Sequence, residues 1–60
     1  MKYSEFKRWL TARGAKFVAG KGTSHYKVYL NGRQTTFPDH GAKEIGKGLV
    51  EQIKRDLGLK

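Results

Sequence analysis

The sequence has no cysteine, one proline and only five acidic residues in sixty. Without cysteine there is no disulfide, no zinc–thiolate site and no thiol nucleophile, and a reducing compartment is compatible. No apolar run approaches the ~18 residues of a membrane span. The opening MKYSEFKRWL lacks the apolar stretch of a signal peptide. A soluble, cytoplasmic chain that makes no use of a membrane is expected. The length excludes a nucleotide-binding α/β domain or a deep catalytic pocket. A chain this short buries only about 60% of the surface its unfolded form exposes, and its core supplies about 3–5 kcal/mol. One small, thinly cored domain over residues 1–60 is expected.

Metal ligands are scarce too. The two histidines lie fifteen residues apart. Asp39 and His40 are neighbours, and neighbours on an extended chain point to opposite sides. Zinc usually takes at least three protein ligands, so no metal site and no cofactor are expected. Residues 14–22 (GAKFVAGKG) superficially resemble a phosphate-binding P-loop. The glycine spacing is one residue too long, and Gly22 stands where a magnesium-binding Ser or Thr belongs.

What the chain does have is positive charge. Thirteen Lys and Arg give a net +8 and a pI near 10.1. That value lies at the top of the range of about 2–8 that solubility suggests for a small domain. It favours a polyanionic partner, nucleic acid or an anionic membrane.

The periodicities place the elements. Tyr3, Phe6, Leu10 and Arg13 recur at helical steps, which predicts a helix over 3–13 closed by Gly14. Residues 16–19 form a short apolar strand. Gly20 to Ser24 form a loop. Residues 25–30 alternate, with Tyr26, Val28 and Leu30 on one face and His25, Lys27 and Tyr29 on the other. Asn31-Gly32 is a hairpin signal. It sets Leu30 opposite Arg33, Val28 opposite Thr35 and Tyr26 opposite Phe37, with the return strand over 33–37 stopped by Pro38. A second helix is predicted over 42–57 from Ile45, Leu49, Ile53 and Leu57, ended by Gly58. Gly46 and Gly48 each cost about 1 kcal/mol in a helix interior, so they either allow close packing or delay the helix start. Asp39 is expected to favour the helix entrance, and Lys54 and Arg55 its end. The fold class is α+β in the order α-β-β-β-α: a three-stranded antiparallel sheet with both helices on one face. This is the arrangement of a double-stranded-RNA-binding domain (dsRBD).

The other sheet face then shows His25, Lys27, Tyr29, Gln34 and Thr36 to solvent or a ligand. Lys21, Thr23 and Ser24 on the loop before His25 form one candidate phosphate cluster. Lys43 and Lys47, one turn apart at the predicted start of the second helix with the free N–H groups of Gly41 and Ala42, form another. Any single lysine is explained by solubility; the set favours nucleic acid. His25 points away from the core beside a basic loop. Imidazole, with an ordinary pKa of about 6.5, accepts and donates protons near neutrality. From the residues alone, His25 is either catalytic or a plain phosphate contact. His40 caps the helix entrance, contacts phosphate or assists His25. Tyr29 is placed to stack on a base. Phe6 and Trp9 read as core, and Tyr3 is ambiguous.

Four segments carry a resemblance. They are Tyr3-Ser4-Glu5-Phe6 leading to Leu10 and Gly14, Gly22-Thr23-Ser24-His25-Tyr26, Phe37-Pro38-Asp39-His40, and Glu44-Ile45 through Leu49 and Ile53 to Leu57-Gly58-Leu59. In this order they resemble the HicA toxin family over essentially the whole chain. The resemblance implies a dsRBD-like fold and a ribosome-independent mRNA interferase cutting single-stranded mRNA. It implies a type II toxin–antitoxin system in which a HicB antitoxin neutralises the toxin. The family's catalytic histidine falls on His25, and its Pro-x-His segment on Pro38 and His40, with no firm catalytic role for His40. The cleavage implied is metal-independent, with His25 as base on the 2′-OH or acid on the leaving 5′-oxygen. Lys21, Lys27 and Lys43 would stabilise the phosphorane, and the product would end in a 2′,3′-cyclic phosphate.

Two other readings use the same residues. One is a non-catalytic RNA-binding module of dsRBD shape, which would bind RNA and not cut it. The other is a basic protein that binds an acidic protein partner. Engaging ~5 phosphates gives a log–log salt slope near −3.5 to −4.5, which that last reading does not predict.

Overall fold

The computed structural model describes residues 1–20 and 25–59. Helix α1 spans Tyr3–Ala12, β1 Lys16–Ala19, β2 His25–Leu30, β3 Arg33–Pro38 and α2 Lys47–Asp56. The strands form one antiparallel sheet in the order β1-β2-β3. No described helix is long and apolar enough to cross a membrane.

Both helices end in the same way. Gly14 (φ 97°) and Gly58 (φ 75°) adopt the left-handed conformation that costs glycine least. The following N–H groups reach back: Ala15 donates to the Leu10 carbonyl at 3.1 Å and Leu59 to that of Lys54 at 2.7 Å. These bonds satisfy carbonyls that each helix end would leave unpaired. At the other end of α1, the Lys2 N–H donates to the Glu5 carboxylate at 2.7 Å.

The hairpin register is the one Asn31-Gly32 predicts: Leu30 faces Arg33, Val28 faces Thr35 and Tyr26 faces Phe37. Asn31 and Gly32 both have positive φ, 51° and 78°, as a two-residue turn of matching twist requires. Pro38 is the last residue of β3, opposite His25, rather than the first residue beyond it. An edge strand tolerates a proline because one side needs no N–H donor.

Phe6, Leu10, Ala15, Val28, Leu30, Phe37, Ile45, Ile53 and Leu57 form the buried core. Phe37 is its hub, with ring centroids of Phe17, Tyr3 and Phe6 at 5.5, 5.9 and 6.3 Å. Trp9 stacks on Phe6 at 5.7 Å. Tyr3, left open above, packs against this core. The alternation of β2 sends Tyr26, Val28 and Leu30 to the helices and leaves His25, Lys27 and Tyr29 exposed.

The second helix corrects the sequence reading. It begins at Lys47, with Gly46 extended as its N-cap (φ −67°, ψ 144°), not at residue 42. Residues 41–45 instead pair with the N-terminal segment. The N–H groups of Tyr3 and Ser4 donate to the carbonyls of Lys43 and Gly41 at 3.0 Å, and Ile45 N–H donates to the Met1 carbonyl at 2.9 Å. Ile45 is buried through this pairing while keeping the spacing of a helical stripe. The glycines at 46 and 48 remove the propensity that would extend the helix backward.

Candidate active site and nucleic-acid interface

His25 is the first residue of β2, where the chain enters the sheet. It is exposed, and its backbone carbonyl accepts the Gly20 N–H at 3.1 Å. Two and four residues on, Lys27 and Tyr29 share its face because strand side chains alternate. The register adds Lys16 beside Tyr29 and Val18 beside Lys27 from β1, with Gln34 and Thr36 across from β3. The three strands contain no acidic residue. Lys21, Thr23 and Ser24, the candidate cluster before His25, lie outside the described residues.

Each of the five carboxylates is engaged elsewhere. Glu5 caps α1. Asp56 on α2 accepts the Thr35 hydroxyl at 2.9 Å. Glu51 is 4.0 Å from Lys54. Glu44 bonds the Met1 amino group at 2.8 Å, and that hydrogen bond raises the pKa of the amine and lowers that of Glu44. Asp39 accepts the Gly41 N–H at 2.9 Å and lies 3.6 Å from the Lys7 ammonium. The strands of the open face thus carry no carboxylate of their own, and Asp56 of α2 borders that face where it lines one depression with Lys27, Gln34 and Thr36.

The structure does not bring all predicted residues together. His25, Lys27 and Tyr29 line the open face. His40 rests its ring on the edge of Tyr3 in α1, with centroids 4.9 Å apart at 79°. That contact sets the exposed His40 beside α1. Lys43 and Lys47 are not one turn apart on a helix. Lys43 lies in the loop before α2, with its N–H on the His40 carbonyl at 3.3 Å, and Lys47 is the first helical residue. Gly41 and Ala42 are likewise outside the helix, and the Gly41 N–H is already taken by Asp39. Asp39 thus shapes the turn after β3 and does not serve the dipole of α2. Among the described residues, no group of three His, Asp or Glu side chains gathers where a metal ion could be held.

Against this geometry the comparisons are decisive. A profile described as the HicA toxin of bacterial toxin-antitoxin matches residues 3–59. The chain belongs to the HicA toxin family. It is 65% identical to a probable mRNA interferase HicA of Pseudomonas fluorescens, covering 100% of this chain and 98% of that protein. It is 53% identical to a probable mRNA interferase HicA of Photorhabdus laumondii, with full coverage of both (100% and 100%). Its fold matches a chain in the crystal structure of the Escherichia coli HicAB toxin-antitoxin complex. The TM-score is 0.89 at 37% identity, over 98% of this chain and 100% of that one.

Sequence reasoning missed Lys7 of α1. In this HicA-family chain Lys7 places its ammonium 4.1 Å from the Tyr26 ring centroid and 5.5 Å from that of Phe17, besides its approach to Asp39. It thereby ties α1 to β1, to β2 next to His25 and to the turn after β3. No local pattern announces such a contact, because its members come from separate elements well apart along the chain.

Proposed function

We propose that this chain is a ribosome-independent mRNA interferase, an endoribonuclease that cuts single-stranded mRNA, and the toxin of a type II system neutralised by a HicB-type antitoxin. One observation carries the catalytic part: an exposed histidine stands at the end of a sheet face whose strands carry lysines and no acidic residue, in a HicA-family chain. His25 is the group we assign to the reaction. As general base it removes the 2′-OH proton, and the 2′-oxygen bonds to phosphorus. The 5′-oxygen leaves with the pair of its broken P–O bond and takes a proton from solvent. In the reverse arrangement His25 supplies that proton and water takes the first. Lys27 lies on the same face and stabilises the extra negative charge on phosphorus. Lys43 and Lys47 contact the RNA backbone from the segment before α2 and its first residue, and Lys21, Thr23 and Ser24, just before His25 in the sequence, are assigned to the same backbone. His40 contacts RNA beside Tyr3.

The donor set suits a route without a metal ion. Incubating the purified chain with RNA in EDTA and analysing the ends of the fragments tests it. Fragments ending in a 2′,3′-cyclic phosphate are expected. Ends carrying a 3′-hydroxyl, or a strict need for magnesium, would contradict the histidine route. RNA that is bound and left uncut would leave a binding module of dsRBD shape.

A further inference from the structure

The open sheet face does not end at the histidine. At its other end, next to the hairpin turn, Arg13, Lys16, Tyr29 and Asn31 line one open depression. Tyr29 and Lys16 are register partners on β2 and β1. Tyr29 is 41% exposed, unusual for a large aromatic side chain in the middle strand of a sheet. Arg13 is held in place, its guanidinium carbon 4.3 Å from the Trp9 ring centroid. Between this depression and His25 lie Lys27 and Val18, a register pair, and Val18 is 51% exposed.

We propose that this depression is a second RNA subsite, in which Tyr29 stacks an unpaired base and Arg13 and Lys16 hold the adjoining phosphate. Substrate RNA then runs along β2 from His25 to Tyr29. The proposal rests on the nuclease reading above and adds the path and the residues that hold the strand away from the cut. Four residues of strand span about 13 Å, enough for more than the nucleotide being cut. A planar guanidinium fork already fixed by Trp9 loses little freedom when it grips phosphate. The exposed ring and the bare Val18 offer flat apolar surface to base faces, which only unpaired nucleotides present. An acidic peptide would match the cations and leave that surface unused.

The test measures binding of RNA oligonucleotides to the His25→Ala chain, with circular dichroism confirming the fold of each variant. The oligonucleotides are shortened from one side or the other of the cleavage site. Adding Tyr29→Ala should weaken binding of the long oligonucleotide about fivefold or more, the low end of a base–aromatic stack. Tyr29→Phe should preserve binding. Lys16→Glu should weaken it more than Arg55→Glu, which makes the same charge change on α2. Shortening from one side only should abolish the effect of Tyr29→Ala. Unchanged binding by Tyr29→Ala or equal losses from the two charge reversals would each overturn the subsite. Cleavage by the unaltered chain with no effect of Tyr29 sinks the subsite and spares the nuclease reading. A Tyr29 effect on binding without cleavage does the opposite.

Discussion

The two faces of the sheet share the same strands and have nothing else in common. On the covered face, Phe17, Tyr26, Val28, Leu30 and Phe37 pack under the helices. On the open face, Lys16, His25, Lys27 and Tyr29 stand exposed. One face has the side chains that make the fold stable, and the other has the side chains available for chemistry. Strand alternation keeps the two sets apart although they are interleaved residue by residue. In so small a chain this separation is what lets an exposed basic face exist without weakening an already thin core.

The sharpest way to break the comparison is on the covered face. Phe37→Ala removes the ring that touches Tyr3, Phe6 and Phe17, and such truncations cost about 3–5 kcal/mol. That is comparable to all the stability expected of a core this size. Urea titration followed by circular dichroism should find the variant largely unfolded before denaturant is added. A cooperative transition near that of the parent would show that Phe37 is no hub.

Lys27→Met on the open face should do the reverse. Stability should stay within about 0.5 kcal/mol. RNA cleavage should fall about 10- to 100-fold, the range of a lost charged hydrogen bond of ~1.5–3 kcal/mol. If stability fell and cleavage did not, the division between the faces would be wrong.

The smallest effect concerns neither face. The Met1 amine and Glu44 stabilise each other through an exposed pair. The lowered pKa of Glu44 makes its contribution vanish as pH falls through that value. The raised pKa of the amine makes it vanish as pH rises through that one. Thermal unfolding of Glu44→Gln against the parent should therefore differ slightly between those limits and converge on both sides. A gap that persisted in acid would place its cause elsewhere.

Much of this was legible because it is local. The Asn31-Gly32 turn sets the register of β2 and β3, and the alternation of His25 to Leu30 gives His25 its direction. Gly14 and Gly58 mark the helix ends through their own backbone conformation. The start of α2 was not legible. Ile45 keeps the helical spacing, but its segment is held extended by the N-terminal residues, a pairing across the length of the chain. The site divides in the same way. The place of His25 follows from a two-residue period, while the catalytic role proposed for it came from the resemblance and not from that period. The tie of Lys7 to Asp39 and Tyr26, and the setting of Arg13 on Trp9, depend on how the helix lies on the sheet.

The most direct measurement replaces His25 by alanine and follows RNA cleavage, RNA binding and circular dichroism together. The account predicts a folded chain that binds RNA as before and cleaves it about 10²- to 10⁴-fold more slowly, the usual share of a general acid or base. A folded His25→Ala chain that cuts as fast as the parent would contradict it.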